Sequence, residues 1–384
     1  MPFGSSSGNI TLLSNRAQRL FWLLSRTLLP MGLNATGSQK PWSATEADWI
    51  AGWAIQAFVF QTPEKSDMGK VATVTMNPSV DVFAETEDLV ENGKTRCKNT
   101  TQEPGGGGIN VARNLNRFGV DVVAILTAGG LQGKLLKQLL AGAAFTFYCV
   151  DIKGETRQSL AVTERASGKL FHLVFPGPEL EESEWRQCLD AFQALKPAAD
   201  YLVLSGSLPG GVPTDFYGDL ARLAADEGTR VILDTSGKAL SPSRGKGIYL
   251  TKLNFGEFCD LGYSGSDDHA GMLAAMGQMV DEGLTDNLIV TLDAEGALLV
   301  SNTGEKLYAR PPRTRVISHV GAGDSFVSVL VYQLDRGKTV AEAFRYGVAA
   351  AAAKVSTPGN QLMDLDKVES IVETVMIREH GERR

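Results

Sequence analysis

An α/β fold with a mostly parallel central sheet is predicted by three observations. Short β-branched runs alternate with helical-period segments from Val71 onward, the pattern that βαβ units produce. Several strand candidates are apolar throughout, as strands covered on both faces are. Two glycine-rich turns each open a helix, the usual place for a ligand loop in such a sheet.

Val71–Met76 is a buried-strand run. Ile109, Val111, Ala112, Leu115 and Phe118 recur at helical spacing and predict a helix over Ile109–Phe118. Val120–Leu126 reads as strand, Gly133–Ala141 as helix and Phe145–Val150 as strand. Strand Tyr201–Leu204, helix Thr214–Ala225 and strand Arg230–Leu233 continue the series. Leu288–Leu292 is the next strand, and Ala322–Leu334 and Val340–Lys354 are helices. One region breaks the alternation. Gln158–Val174 alternates polar and apolar residues around Ser167-Gly168, a hairpin signal. Val82–Cys97 has no helical period. Together they predict a small β-sheet over one end of the domain, drawn from about 82–104 and 157–176.

The formal net charge of -7 argues against broad affinity for nucleic acid or anionic membrane. Cys97, Cys149, Cys188 and Cys259 form no CxxC pair, so neither a zinc site nor a disulfide framework is expected. Reduced thiols suit a cytoplasmic protein. No apolar run reaches the ~20 residues of a membrane span.

Composition changes near residue 68. Trp22, Trp42, Trp49 and Trp53 precede it, and no acidic residue appears before Glu46. An acid-poor, Arg- and Ser-bearing amino terminus suits organelle import. The alternative is a poorly ordered extension, or sequence upstream of a start at Met68, and that reading is favoured. The expected division is an extension over 1–67 and one domain over 68–384.

The chemistry concentrates in the two glycine turns. Gly105-Gly106-Gly107-Gly108 precedes Ile109-Asn110. Four residues without Cβ allow close approach to backbone, and the Asn110 amide both donates and accepts. Gly321-Ala322-Gly323-Asp324 opens the later helix, where unpaired N–H groups and the helix dipole favour an anion. A carboxylate at Asp324 has two readings, a helix cap or a catalytic base. Neither standard phosphate loop fits. The segment ending Gly133-Lys134 has Ala128 and Leu135 where a P-loop needs Gly and Ser/Thr. The four-glycine run offers Asn110 or Val111 where a dinucleotide fingerprint needs its third glycine.

Those two turns, in this order, resemble the paired signatures of the PfkB branch of ribokinase-like carbohydrate kinases. The resemblance runs from about Val71 to Leu365. Within the branch, Thr75-Met76-Asn77-Pro78-Ser79-Val80-Asp81, Gly93-Lys94-Thr95-Arg96-Cys97, Thr156-Arg157-Gln158, Ser205-Gly206-Ser207-Leu208-Pro209 and Arg345–Ala350 are similar to the PfkB-type bacterial 6-phosphofructokinases. The resemblance implies a ribokinase-like three-layer α/β/α fold with a β-sheet lid. It implies ATP and Mg²⁺ as cofactors, a phosphosugar substrate, and a homodimer formed through the lid.

By the same resemblance Asp81 binds sugar hydroxyls, and Gly106, Gly107, Gly108 and Asn110 line the sugar pocket. Arg157 holds the sugar phosphate with Lys94 and Arg96, and Ser207 adds a contact. Lys252, Asn254, Thr291 and Gly296 belong to the nucleotide site, and Glu257 positions magnesium through water. Asp324 is the base, with Gly321, Ala322 and Gly323 as the anion hole. Four positions depart from the family pattern: Leu253 for proline, Asp293 and Ser328 for glycine, and Ala352 for a small polar residue.

The leading expectation is phosphorylation of fructose 6-phosphate at its 1-hydroxyl. Its rivals are a kinase of fructose 1-phosphate or tagatose 6-phosphate, and a catalytically silent sugar-phosphate sensor. A nicotinamide oxidoreductase ranks last because its fingerprint fails.

Overall fold

Apolar β-branched runs pair laterally into the central sheet of this computed structural model, which describes residues 71–379 except 197, 237–238, 266–267 and 360. The extension over 1–67 and the start at Met68 lie outside the described residues.

The strands are β1 Val71–Thr75, β2 Ser79–Thr86, β3 Lys98–Gly105, β4 Val122–Gly129, β5 Thr146–Ile152, β6 Arg157–Glu164 and β7 Leu170–Val174. They continue as β8 Tyr201–Ser205, β9 Arg230–Asp234, β10 Ile248–Asn254, β11 Asn287–Thr291, β12 Ala297–Ser301, β13 Lys306–Arg310 and β14 Met376–Glu379. The helices are α1 Gly107–Arg117, α2 Gly130–Leu140, α3 Glu182–Gln193, α4 Phe216–Asp226 and α5 Phe255–Asp260. After them come α6 His269–Asp281, α7 Ala322–Asp335, α8 Val340–Val355 and α9 Leu365–Val372.

A ten-stranded sheet has the order β14-β13-β12-β11-β10-β9-β8-β1-β4-β5. It is parallel from β5 across to β11. It becomes antiparallel from β12 to β14. Residues of α1, α2, α7, α8 and α9 pack on one face, and those of α3, α4, α5 and α6 on the other. This is the three-layer arrangement expected. Val71, Val74, Leu202, Val203, Leu250, Ile289 and Val290 are fully buried, which is why these strands read as apolar on both sides.

β3-β2-β6-β7 form a separate four-stranded sheet. Hairpin β6–β7 turns through Gly168 at φ 71°, where only glycine is unstrained. Edge strand β7 keeps apolar groups in solvent: Leu173 is 49% exposed and Val174 59%.

Sequence patterning missed several elements. α3 is one of them, although Trp185, Cys188, Leu189 and Phe192 recur at helical spacing and pack into the core. α6 is apolar on more than one side, and β12–β14 form the antiparallel edge. α2 begins at Gly130, ahead of the expected Gly133, because Glu155 Oε1 accepts from Gln132 N at 2.6 Å. That cap comes from a different part of the chain, so local patterning does not show it.

Candidate active site

β1 and the four-glycine turn bring the first half of the site together. Gly106 adopts φ 115°, which a side chain rarely tolerates. A Cβ at Gly105 would sit 2.3 Å from the Asp81 carboxylate. At Gly107 a Cβ would lie 2.1 Å from Ser205 Oγ and 3.3 Å from Asp324 Oδ1. The run is therefore glycine mainly so that the turn can nest against Asp81, β1 and Ser205. Close ligand approach is not needed to explain it.

α1 then carries Asn110 to the later glycine turn. Asn110 Nδ2 donates to Asp324 Oδ2 at 2.8 Å. The N-cap of α7 is Gly321, in the left-handed conformation at φ 76°, and Asp324 stands in the first turn with its carboxylate bonded to Asn110. Asp324 is thus not the N-cap residue, and its carboxylate points across to α1. Burial, with Asp234 adding to it, pushes the Asp324 carboxyl up to about 6, against the Asn110 hydrogen bond and Lys252. Asp324 keeps partial exposure at the floor of a cleft, so solvent reaches it from one side. In the turn itself Ala322 N donates to His319 O at 3.3 Å, and Ser325 N to Gly321 O at 2.9 Å.

Two clefts meet at this turn. One is lined by Asp81, Glu103, Asn110, Arg113, Gly321, Asp324 and Lys354 among others. The other has a volume of about 670 Å³ and takes in Lys252, Asn254, Thr291, Asp293, Gly296, Ala322 and Gly323. That volume is in the range of small-molecule sites. Its far wall is apolar, with Pro311, Phe326, Val348, Ala351 and Ala352.

Asp81 is held by Ser79 Oγ, which donates to its Oδ1 at 2.6 Å. Burial raises the Asp81 carboxyl, and the Ser79 bond and the charges of Arg157, His172 and Arg113 oppose that. Arg157 begins β6 beside β2, and its Nε donates to Asn77 O at 3.2 Å. Burial lowers the Arg157 pKa and Asp81 counteracts it. Asn77 Nδ2 donates to Ser207 Oγ at 3.1 Å, so Ser207 stands beside the same group. Lys94 and Arg96 are exposed on the segment between β2 and β3 and line neither cleft. Gly106, Gly107, Gly108, Arg157 and Ser207 are also outside both linings, behind Asp81 and Asn110.

On the other side, Asn254 and Glu257 form a capping box on α5. Glu257 N donates to Asn254 Oδ1 at 2.9 Å, and Asn254 N to Glu257 Oε2 at 2.7 Å. Burial raises the Glu257 carboxyl, opposed by the Asn254 N–H and Lys252. The helix-cap account of Asn254 is correct, and it leaves Glu257 Oε1 outside the box.

Lys252 is aimed at the glycine turn: a Cβ at Gly323 would lie 3.0 Å from its Nζ. Its partner Asp234, 3.0 Å away, was not singled out from the sequence. Burial disfavours the Lys252 charge, but Asp234 holds its pKa above the ordinary lysine range. An aspartate directly after the expected strand Arg230–Leu233 was the available signal.

The departures from the family pattern are accommodated. Leu253 is a buried core residue of β10. Asp293 has φ 48°, which explains the usual glycine; aspartate is among the few residues that enter this region readily. Ser328 Oγ donates to Asp324 O at 2.5 Å and accepts from Asn114 Nδ2 at 3.1 Å.

Comparison with known proteins agrees with this geometry. The model of the pfkB family carbohydrate kinases matches residues 72–367. An ATP-dependent 6-phosphofructokinase isozyme 2 of Mycobacterium tuberculosis is 36% identical over 313 residues, covering 81% of this chain and 92% of that protein. A 1-phosphofructokinase of Bacillus subtilis is 32% identical, over 74% of this chain and 91% of its own. The crystal structure of phosphofructokinase-2 from Escherichia coli in complex with substrates and products has a TM-score of 0.74. It is 36% identical and covers 79% of this chain and 99% of that one.

Proposed function

Because this chain belongs to the pfkB family of carbohydrate kinases and is a sugar-phosphate kinase, we propose that it phosphorylates fructose 6-phosphate. ATP, whose use the kinase family implies, gives its γ-phosphoryl group to the 1-hydroxyl, and fructose 1,6-bisphosphate and ADP result. The observation that carries this reading is the Gly321–Asp324 turn, with a sugar-side cleft on one face and a nucleotide-sized cleft on the other.

The chemistry follows from the groups at that junction. Asn110 occupies Asp324 Oδ2, so Oδ1 is the oxygen that takes the hydroxyl proton. A carboxyl at about 6 is ionised at neutral pH yet basic enough to help. The sugar oxygen bonds to the γ-phosphorus as the bond to the ADP oxygen breaks. Phosphoryl transfer needs positioning and charge stabilisation above all. Gly321 and Gly323 offer the freer N–H donors, since Ala322 N–H is engaged with His319 O. Lys252, held by Asp234, places positive charge behind Gly323.

Asp81 and Asn110 orient the sugar. Arg157, with Lys94 and Arg96 brought in by closure of the four-stranded sheet, takes the 6-phosphate. Closure also excludes water and so limits ATP hydrolysis.

Mg²⁺ fits a water-mediated place at Glu257, where Oε1 is outside the capping box. Among the described residues no cluster of three acidic, His or Cys groups forms a metal cage. A Mg²⁺ held by phosphates and water needs none. When bound it neutralises charge on the phosphates.

A homodimer through the lid belongs to the same proposal, supported by exposed Phe171, Leu173, Val174 and Phe175. Light scattering at the monomer mass would remove it. Among the described residues no helix is long and apolar enough to cross a membrane, and a cytoplasmic location is proposed with it.

The test is steady-state ADP release with fructose 6-phosphate, fructose 1-phosphate and tagatose 6-phosphate. We expect kcat/KM for fructose 6-phosphate to exceed the others by about tenfold or more. A higher value for either rival reassigns the substrate. Sugar-phosphate binding without ATP turnover would support the silent sensor.

A further inference from the structure

Lys354 is a buried cation with no role in the chemistry above. It is in the last turn of α8 and only 3% exposed. Its Nζ donates to Pro358 O at 3.2 Å, Gly359 O at 2.9 Å and Gln361 O at 2.6 Å. Three carbonyl oxygens converge on one ammonium, which uses every proton it has. Burial pushes Lys354 down to about 8, while Asp324 pulls it up and Arg113 adds to the lowering. The three acceptors also favour the charged form.

The bonded segment touches the phosphoryl-transfer turn. A Cβ at Gly359 would lie 3.0 Å from Ser318 Oγ and 3.1 Å from both Val320 and Phe83 of β2. Ser318 and Val320 lead directly into Gly321. Val355 O, next to Lys354, accepts from Ile317 N at 2.7 Å and Ser318 N at 3.1 Å. The lysine stem itself closes the back of the turn, since a Cβ at Gly321 would meet Lys354 Cε at 3.1 Å. α8 thus braces the approach to the glycine turn through one backbone carbonyl and one charged side chain.

We propose that Lys354 is a positioning residue for phosphoryl transfer: its carbonyl-bound ammonium holds Pro358, Gly359 and Gln361, and through them the Gly321 turn, in catalytic register. This rests on the assignment of residues 321–324 to phosphoryl transfer. Without the ammonium, the three carbonyl oxygens lose the donor they share, although Pro358 O still accepts from Gln361 N at 3.1 Å. The segment would shift, and the turn with it. A displacement of about 1 Å at a transfer site costs up to ~100-fold in rate.

The test uses the full chain with Lys354→Ala, assayed for kcat and both KM values with and without about 100 mM ammonium chloride, tetramethylammonium chloride being the bulky control. The expected kcat falls by about tenfold to hundredfold, with KM values within about threefold. Free ammonium should restore kcat at least threefold or so by refilling the carbonyl ring, and the control should not. A kcat within about twofold of wild type overturns the proposal, as does a loss that ammonium leaves untouched.

If Lys354→Ala lacks a cooperative melt, Lys354→Gln replaces it: it keeps donors but not the charge. The same kcat loss supports the proposal, and wild-type kcat overturns it. Asp324→Asn separates the two layers. An active Asp324→Asn enzyme removes the transfer assignment itself, whereas an inactive one beside a normal Lys354 variant removes only the role of the lysine.

Discussion

Asp324→Asn should trade catalysis for stability. The side chains are nearly isosteric, and Asn at 324 can still accept from Asn110 Nδ2 through its own amide oxygen. Loss of a general base costs roughly 10²–10⁴ in rate, so turnover should drop to background. The structure also predicts a gain. Burial raises the Asp324 carboxyl from its ordinary 3.8 to about 6. That difference corresponds to about 3 kcal/mol, reduced to about 2 by water in the cleft.

The direction follows from linkage. The folded state binds the proton more tightly than the unfolded chain, so the native state loses stability as pH rises from about 4 to about 6. Above that window the wild type carries the full penalty and the asparagine variant carries none. For a domain of this size about 2–3 kcal/mol shifts Tm by about 3–5 °C. The assay is differential scanning calorimetry of both proteins at pH 8 and pH 4, with kcat measured in parallel. The variant should melt higher at pH 8, and the gap should close at pH 4. An equal or lower Tm at pH 8 refutes the burial reasoning. Retained turnover refutes the base.

Other outcomes follow from the same geometry. Wild-type kcat/KM should rise with pH through about 6 as the Asp324 carboxyl ionises; a flat profile from pH 5 to 7.5 would contradict this (about one decade is expected on the acid side). Gly107→Ala puts a methyl 2.1 Å from Ser205 Oγ and 3.3 Å from Asp324 Oδ1. It should cost about 1–3 kcal/mol of stability and lower kcat, and a wild-type melt would show that the turn gives way freely. Asp293→Gly removes a left-handed φ of 48° and a carboxylate from the larger cleft. It should lower KM for ATP about threefold with kcat unchanged; a raised KM would show that Asp293 assists binding.

Much of the site was legible because its chemistry is local in sequence. Each glycine turn names its own helix start, and Asp324 stands inside one of them. Asn110 stands four residues after Gly106. Lys252, Thr291 and Glu257 lie near strand ends or in a first helical turn, where a parallel sheet gathers its ligands, and Asp81 lies near the start of β2 in the smaller sheet. The reading of Asp324 stayed open between cap and base because both need a carboxylate at the same helical position. Only the direction of the side chain separates them, and Asn110, 214 residues earlier, sets that direction.

By itself, the chain's patterning determined the α/β class, the order of the main strands and helices, the hairpin sheet and the two turns that carry the chemistry. These depend on periodicity, β-branching and glycine, which act over a few residues. Tertiary structure alone decided which groups oppose one another. It set Asp234 against Lys252, gave α2 its distant Glu155 cap, and nested the four glycines against Asp81 and Ser205. It also closed three carbonyls around Lys354. The physical reason is range: a buried charge is stabilised only by partners within a few ångströms, and packing chooses those partners regardless of their distance along the chain.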